Sequence, residues 1–212
     1  MLPNDRKKSK SSIKAVIFDL GGVLVDWKRE HLYQKIFPGD PVGMEHFLTK
    51  ICPMEWNLKL DLGYPFARAV EEKVAEFPEY EQQIRAYHTR WEEMVPGHFP
   101  KTVELLAALR QRDVSLHVLS NFSAETYPLI RARYDFLGWF DSHMLSADVG
   151  LAKPDPAIYK LLLARIGRQP HECLFIDDSE VNVIAARDLG IDAIQFSSPD
   201  ELRFQLENRG IV

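Results

Sequence analysis

Four short apolar runs, each stopped by polar residues, restrict this chain's fold more than any other feature: "AVIF" before Asp19, "SLHVL" before Ser120, "CLFI" before Asp177 and "DAIQF" before Ser197. A weaker fifth, "SHMLS", precedes Ala147 and Asp148. Runs this short and this apolar suit strands buried on both faces, the situation of a parallel sheet covered by crossover helices. The segments between them agree. "KTVELLAALRQR", "DPAIYKLLLARIG" and "VNVIAARDLG" repeat apolar residues at three-to-four spacing, and Asp155, Pro156 and Gly167 mark a helix at both ends. The predicted fold is α/β, a Rossmann-like parallel sheet with helices on both faces.

One region breaks the alternation. From Lys28 to Gly97 no convincing strand is legible, while "GMEHFLTKIC", "PFARAVEEKVAEF" and "EYEQQIRAYHTRWEEMV" carry helical periodicity. The expectation is a small helical cap over residues 28–97, inserted into an α/β core domain of residues 13–27 and 98–212. Residues 1–12, with their cluster of lysines, read as a disordered basic tail. A chain of 212 residues has room for one core and such an insertion.

Charge excludes some partners. A formal charge of −5 gives no overall attraction to nucleic acid or to an anionic membrane. No stretch approaches the roughly 18 apolar residues of a membrane span, and the first apolar run is too short for a signal-peptide core. Cys52 and Cys173 lack CxxC spacing, so they read as reduced core thiols of a cytoplasmic protein.

In open α/β sheets the site lies outside the carboxyl ends of the strands. Asp19, Ser120 with Asn121, Lys153 in "GLAKPDP", and Asp177 with Asp178 should therefore meet in one cleft. Clustered carboxylates repel and are costly to desolvate unless a cation joins them. Mg²⁺ suits the set, with Asp19 and Asp178 as its anchors. Gly21 and Gly22 allow a tight turn after Asp19, bringing bare amides and a carbonyl close to a ligand. Ser120 and Asn121 are read as lying where a helix begins, a natural place for a phosphate oxygen. Lys153 supplies a fixed positive charge.

These segments resemble the motifs of the haloacid dehalogenase-like hydrolase superfamily: "FDLGGVL", "HVLSN", "KPDP" and "FIDDSEVNVIAA" stand in its order. The helical insertion is similar to that family's small cap. "FDLGGVLVDW" more narrowly resembles the branch containing sugar-phosphate phosphatases and the N-terminal domain of soluble epoxide hydrolases. The resemblance implies that Asp19 is a nucleophile forming an aspartyl-phosphate, that Ser120 and Lys153 hold the phosphoryl group, and that Asp178, with Asp177, binds Mg²⁺. It implies a small phosphorylated metabolite, such as a sugar phosphate, as substrate.

One position departs from the pattern. Phosphatases of this family carry a second aspartate two residues after the nucleophile as general acid and base, and here that position is Gly21. Its carbonyl can still ligate Mg²⁺, but it has no side chain to move a proton, a function worth roughly 10²- to 10⁴-fold. A cap residue or water could fill the gap; Asp26 and His31 are near in sequence and otherwise read as ordinary loop and helix residues. The missing acid suits a 2-haloacid dehalogenase, whereas the Asp177–Asp178 pair would repel a carboxylate substrate. A non-catalytic phospholigand-binding protein is the third reading. In the insertion, Trp56, Tyr64 and Trp91 read as cap core more than as a substrate platform, and "WNLKLDLGYP" as a loop able to close on the cleft.

Overall fold

The computed structural model describes residues 13–212; the basic tail expected over 1–12 lies outside the described residues. Among the described residues seven strands occur in chain order: β1 (Ala15–Phe18), β2 (Val25–Asp26), β3 (Gly97–His98), β4 (Ser115–Ser120), β5 (Ser142–Leu145), β6 (Cys173–Asp177) and β7 (Asp192–Gln195). Five of them form one parallel sheet in the order β5-β4-β1-β6-β7. The chain leaves β1 toward β4 and β5, then returns to the other side of β1 for β6 and β7. That reversal opens a crevice at the carboxyl ends of β1, β4 and β6.

Burial on both faces explains the unbroken apolar runs. Val16 and Phe18 point into a core with Leu105, Leu106 and Leu109 of helix Pro100–Leu109 and Leu202 and Leu206 of helix Pro199–Asn208. Ala15 and Ile17 face the other way, onto Ile158, Tyr159 and Leu162 of helix Pro156–Ile166 and Val183 and Ala186 of helix Glu180–Asp188. Each large side chain so buried contributes about 1.5–3 kcal/mol. The expected caps are present: Asp155 Oδ1 accepts the Ala157 N–H at 2.8 Å, and Gly167 closes that helix with φ +66°.

Between β2 and β3 the chain is helical. Helices Glu30–Ile36, Pro41–His46, Met54–Asp61, Phe66–Glu76 and Glu81–Thr89 and a π-helical turn, Phe47–Ile51, fill this stretch. Leu32, Tyr33, Phe47, Trp56 and Tyr87 from these elements join the same apolar cluster as Val16 and Phe18, so the insertion packs against the sheet domain continuously. The antiparallel pair β2–β3, Val25 opposite His98 and Asp26 opposite Gly97, ties its two ends together. Two-residue strands carry no readable periodicity, which is why the sequence gives no sign of them.

The expected loop "WNLKLDLGYP" is instead mostly helix, Met54–Asp61, followed by a turn at Gly63 with φ +93°. Trp56, Leu58, Leu60 and Leu62 alternate at every second residue, which masks the helical period. The face that is buried is Trp56, Asn57 and Leu60.

Candidate active site

Asp19 follows β1, and the donors reaching it converge on one oxygen. The Leu20 N–H and the Ser120 hydroxyl each donate to Oδ1 at 2.7 Å, and Lys153 Nζ stands 2.9 Å from the same atom. Among the described residues Oδ2 receives no donor, and Asp19 lines the cleft. Ser120 is the last residue of β4, the neighbour of β1 in the sheet, so the two strand ends bring its hydroxyl within reach of Asp19.

Lys153 is buried, and its ammonium also lies 2.6 Å from Asp177 Oδ2. Asp177 ends β6 fully buried, with Oδ1 accepting the Ser179 N–H at 2.8 Å and Asn182 Nδ2 at 3.0 Å. Burial pulls the Lys153 ammonium down, but the two carboxylates beside it outweigh that and hold it above its ordinary value. Asp19 is shifted upward, first by burial and then by Asp177, against the pull of Lys153. Asp178 is shifted upward by burial and by Asp177. Lys153 is the one cation buried among these three acids, and Lys28 at the cleft wall acts on Asp178 as well, yet burial and mutual repulsion still raise Asp19 and Asp178.

Oxygens of Asp19, Asp177 and Asp178 lie within 4.8 Å of one another, a hard-donor set that fits Mg²⁺. Both Asp177 oxygens already accept protein donors, which makes Asp177 foremost the partner of Lys153 and leaves Asp19 and Asp178 the freer ligands. The glycine turn brings Asp178 in. Gly22 adopts φ +74°, and a Cβ there would meet Asp178 Oδ2 at 2.2 Å. Gly21 is not in the left-handed region, and a Cβ on it would meet only Trp27 Cβ, at 3.7 Å.

One expectation changes. No helix begins at Ser120 or Asn121; the next one starts at Tyr127, so any phosphate oxygen here would meet loop amides rather than a helix end. The Asn121 side chain grips the Lys153 main chain: its Nδ2 donates to the Lys153 carbonyl at 2.9 Å and its Oδ1 accepts the Lys153 N–H at 2.8 Å. Asn121 still lines the cleft, but its side chain presents the lysine.

A match to the haloacid dehalogenase-like hydrolase family spans residues 13–190. The chain belongs to that family. Its sequence is 26% identical to a sesquiterpene phosphatase of Aspergillus oryzae, over 95% of this chain and 98% of that one. It is 31% identical to flavin mononucleotide hydrolase 1 of Arabidopsis thaliana over 51% of this chain, a match spanning 44% of the plant protein. Among solved structures, a family enzyme of Bacteroides thetaiotaomicron in complex with magnesium and inorganic phosphate superposes with a TM-score of 0.68 at 26% identity, covering 87% of this chain and 94% of that one. L-2-haloacid dehalogenase from Xanthobacter autotrophicus shares the fold, at 21% identity and a TM-score of 0.62.

In this family hydrolase the cleft has a volume of about 490 Å³. Trp27, Met54, Leu58, Trp91, Phe122 and Val181 supply much of its wall. Trp91 thus reaches the cleft, whereas Trp56 packs edge-on against Tyr87 and Tyr64 lies under the Lys59 ammonium. Asp26 and His31 bond to each other at 3.0 Å and neither lines the cleft. The residues that sequence reasoning missed are Asn182, which holds Asp177, and Asn57 and Asp61 on helix Met54–Asp61, which both line the cleft. Asn57 and Asp61 are four residues apart, the spacing of neighbours on a helix face, a signal lost when the segment is read as a loop. Cys52 and Cys173 are buried free thiols, and among the described residues no helix is long and apolar enough to cross a membrane.

Proposed function

We propose that this hydrolase cleaves a small phosphomonoester with the help of Mg²⁺, through an aspartyl-phosphate on Asp19. The observation that carries the reading is the single chain of contacts Ser120–Asp19–Lys153–Asp177, which fixes one carboxylate oxygen with three donors and leaves the other facing the cleft. A nucleophile needs that asymmetry: one atom anchored, one open.

Asp19 Oδ2 attacks phosphorus, and the bond to the leaving oxygen breaks. Lys153 and the Ser120 hydroxyl stabilise negative charge on the phosphoryl oxygens, with loop amides after Ser120 and at Gly21–Gly22 placed to assist. Asp177 and Asn182 keep Lys153 charged and aimed, and Asn121 fixes its main chain. When bound between Asp19 and Asp178, Mg²⁺ supplies the charge that offsets repulsion between the phosphate dianion and the Asp19 carboxylate. Water then attacks phosphorus, releasing phosphate and restoring Asp19.

Residues 28–97 act as the cap that closes the cleft, in a protein whose buried thiols suit a reducing compartment such as the cytoplasm. The aromatic and aliphatic wall favours a neutral, partly apolar leaving group over a second anionic one. The adjoining Asp177 and Asp178 carboxylates disfavour a 2-haloacid, and a purely ligand-binding role leaves the open Asp19 oxygen unused. The experiment is phosphate release from a phosphoester panel with and without Mg²⁺, run beside halide release from 2-chloropropionate. Mg²⁺-dependent phosphate release is the expected result. Halide release in EDTA would favour the dehalogenase, and activity in neither assay the ligand-binding protein.

A further inference from the structure

We infer that Asp61 is the catalytic acid and base that Gly21 does not provide, carried to the nucleophile by the helical insertion; this rests on the phosphoester reading above. Asp61 ends helix Met54–Asp61 and lines the same cleft as Asp19, Ser120 and Lys153.

The carboxylate is held from several sides. Asn57, one helical turn earlier, donates from Nδ2 to Asp61 Oδ2 at 2.7 Å, and the Ser123 N–H, in the loop after β4, stands close enough to lower the carboxyl's pKa. Asn57 is buried, and its Oδ1 accepts the Tyr87 hydroxyl at 2.5 Å. With that oxygen committed, Asn57 can offer Asp61 only hydrogen. The Asp61 carbonyl accepts the Ser146 hydroxyl, and Ser146 Oγ in turn accepts the Phe122 N–H at 2.9 Å. The helix end is therefore fastened to the first residue of the short helix Ser146–Val149 after β5 and, through it, to the loop after β4, and the acid stands in the cleft before any ligand arrives. Such preorganisation is what proton transfer in a transition state requires.

The surroundings favour the protonated form. Burial raises the Asp61 carboxyl first, the Asn57 hydrogen bond opposes this, the Asp19 charge raises it further, and the Ser123 N–H lowers it; the balance lies at about 8. Tyr87 stands behind Asn57, and burial holds its phenol protonated. Of the two lysines lining the cleft, Lys153 is engaged with Asp19 and Asp177 and Lys28 acts on Asp178.

The step balances without a further reactant. Asp19 Oδ2 forms a bond to phosphorus as the phosphorus–oxygen bond to the alcohol breaks; the leaving oxygen takes that electron pair and the Asp61 proton. Asp61, now a carboxylate, removes a proton from the water that attacks the aspartyl-phosphate. The phosphorus–oxygen bond to Asp19 breaks, and phosphate, neutral Asp61 and the Asp19 carboxylate result. The role matches the general pattern of two carboxyl groups set to different protonation states by their environments.

The test is Asp61→Asn in the full chain with Mg²⁺, assayed on an alkyl phosphate and on p-nitrophenyl phosphate. A nitrophenolate needs no proton to leave, so kcat/KM for the aryl ester should stay within about threefold while that for the alkyl ester falls roughly 10²-fold or more. The second step still lacks its base, so the variant should release a burst of nitrophenol, near one per enzyme, before a slow steady rate. In the wild type, kcat/KM for the alkyl ester should fall at alkaline pH as Asp61 ionises, and the variant should lose that limb. Equal losses on both esters with no burst, or no loss on either, would overturn the assignment. A wild type inactive on every phosphoester would instead overturn the underlying reading. Circular dichroism and thermal melting confirm that the variant is folded before either result is read.

Discussion

Asp178 Oδ2 lies 2.2 Å from where a Cβ would stand on Gly22, so the second acid of the cleft is seated against the bare backbone of the turn that follows Asp19. The two adjacent glycines therefore have different tolerances. Gly22→Ala should cost about 1–3 kcal/mol, from its φ of +74° and the displaced carboxylate, and should weaken Mg²⁺ activation. Gly21→Asp should change stability by less than about 1 kcal/mol, within the range of an uncrowded substitution. Urea unfolding of the two variants gives the comparison. Equal destabilisation would contradict the assignment of the close approach to Gly22.

Gly21→Asp also has a kinetic consequence. With Asp61 already serving as acid, the single substitution should speed alkyl phosphates little. In the Asp61→Asn background it should restore much of the lost alkyl kcat/KM, because the new carboxylate takes the position from which an acid is missing. Steady-state kinetics on the double variant decide this, and absence of rescue in a folded double variant would separate the two positions functionally.

How far such a site can be read from sequence depends on where its residues sit. The apolar runs ending at Asp19, Ser120 and Asp177 announce themselves because strands buried on both faces have no polar alternation, and a parallel sheet then brings their ends together. Asn121 shows the limit: its place beside the site follows from β4, but only coordinates reveal that its amide is spent on the Lys153 main chain. Asp61 lay hidden for a different reason. Its segment carries Trp56, Leu58 and Leu60 in the helix and Leu62 just past it at a strand-like spacing, and its approach to the cleft depends on the tertiary bond from Ser146. The β2–β3 pair was too short to leave any pattern.

Divalent metal should be required, and Asp178→Ala should raise the Mg²⁺ concentration for half-maximal rate at least about tenfold, since within the Asp19–Asp177–Asp178 cluster both oxygens of Asp177 already accept protein donors. Titration of activity with Mg²⁺ after EDTA treatment measures this. An unchanged midpoint would remove Asp178 from the metal.

Lys153→Met should destabilise the fold by about 3–5 kcal/mol near neutral pH, because it strands the Asp19 and Asp177 carboxylates without their cation. The deficit should shrink as pH falls, since protonating Asp19, already raised to about 7, relieves the repulsion. Denaturant unfolding at pH 5 and pH 8 gives the comparison; a deficit independent of pH would point to lost packing instead.

Asp61 makes the opposite kind of contribution. Its folded pKa is raised above the ordinary carboxylate value of 3.8 to about 8, so the folded state binds a proton more tightly than the unfolded one. Stability from this group is therefore present at low pH and declines as pH rises through that window. Asp61→Asn removes the decline. The variant should melt close to the wild type near pH 4 and above it near pH 9, by an amount that grows between the two. A gap that narrowed with rising pH would contradict the raised carboxyl.

Labelled oxygen follows the central claim, attack by Asp19 on phosphorus, most directly. With enzyme in excess over an alkyl phosphate in H₂¹⁸O and Mg²⁺, mass spectrometry should find one ¹⁸O in each released phosphate and none in the peptide containing Asp19, since water opens the aspartyl-phosphate at phosphorus. Turnover should vanish in Asp19→Asn. Appearance of ¹⁸O in the Asp19 carboxyl, as attack on a carbon ester of Asp19 would produce, or undiminished turnover in Asp19→Asn, would contradict the account.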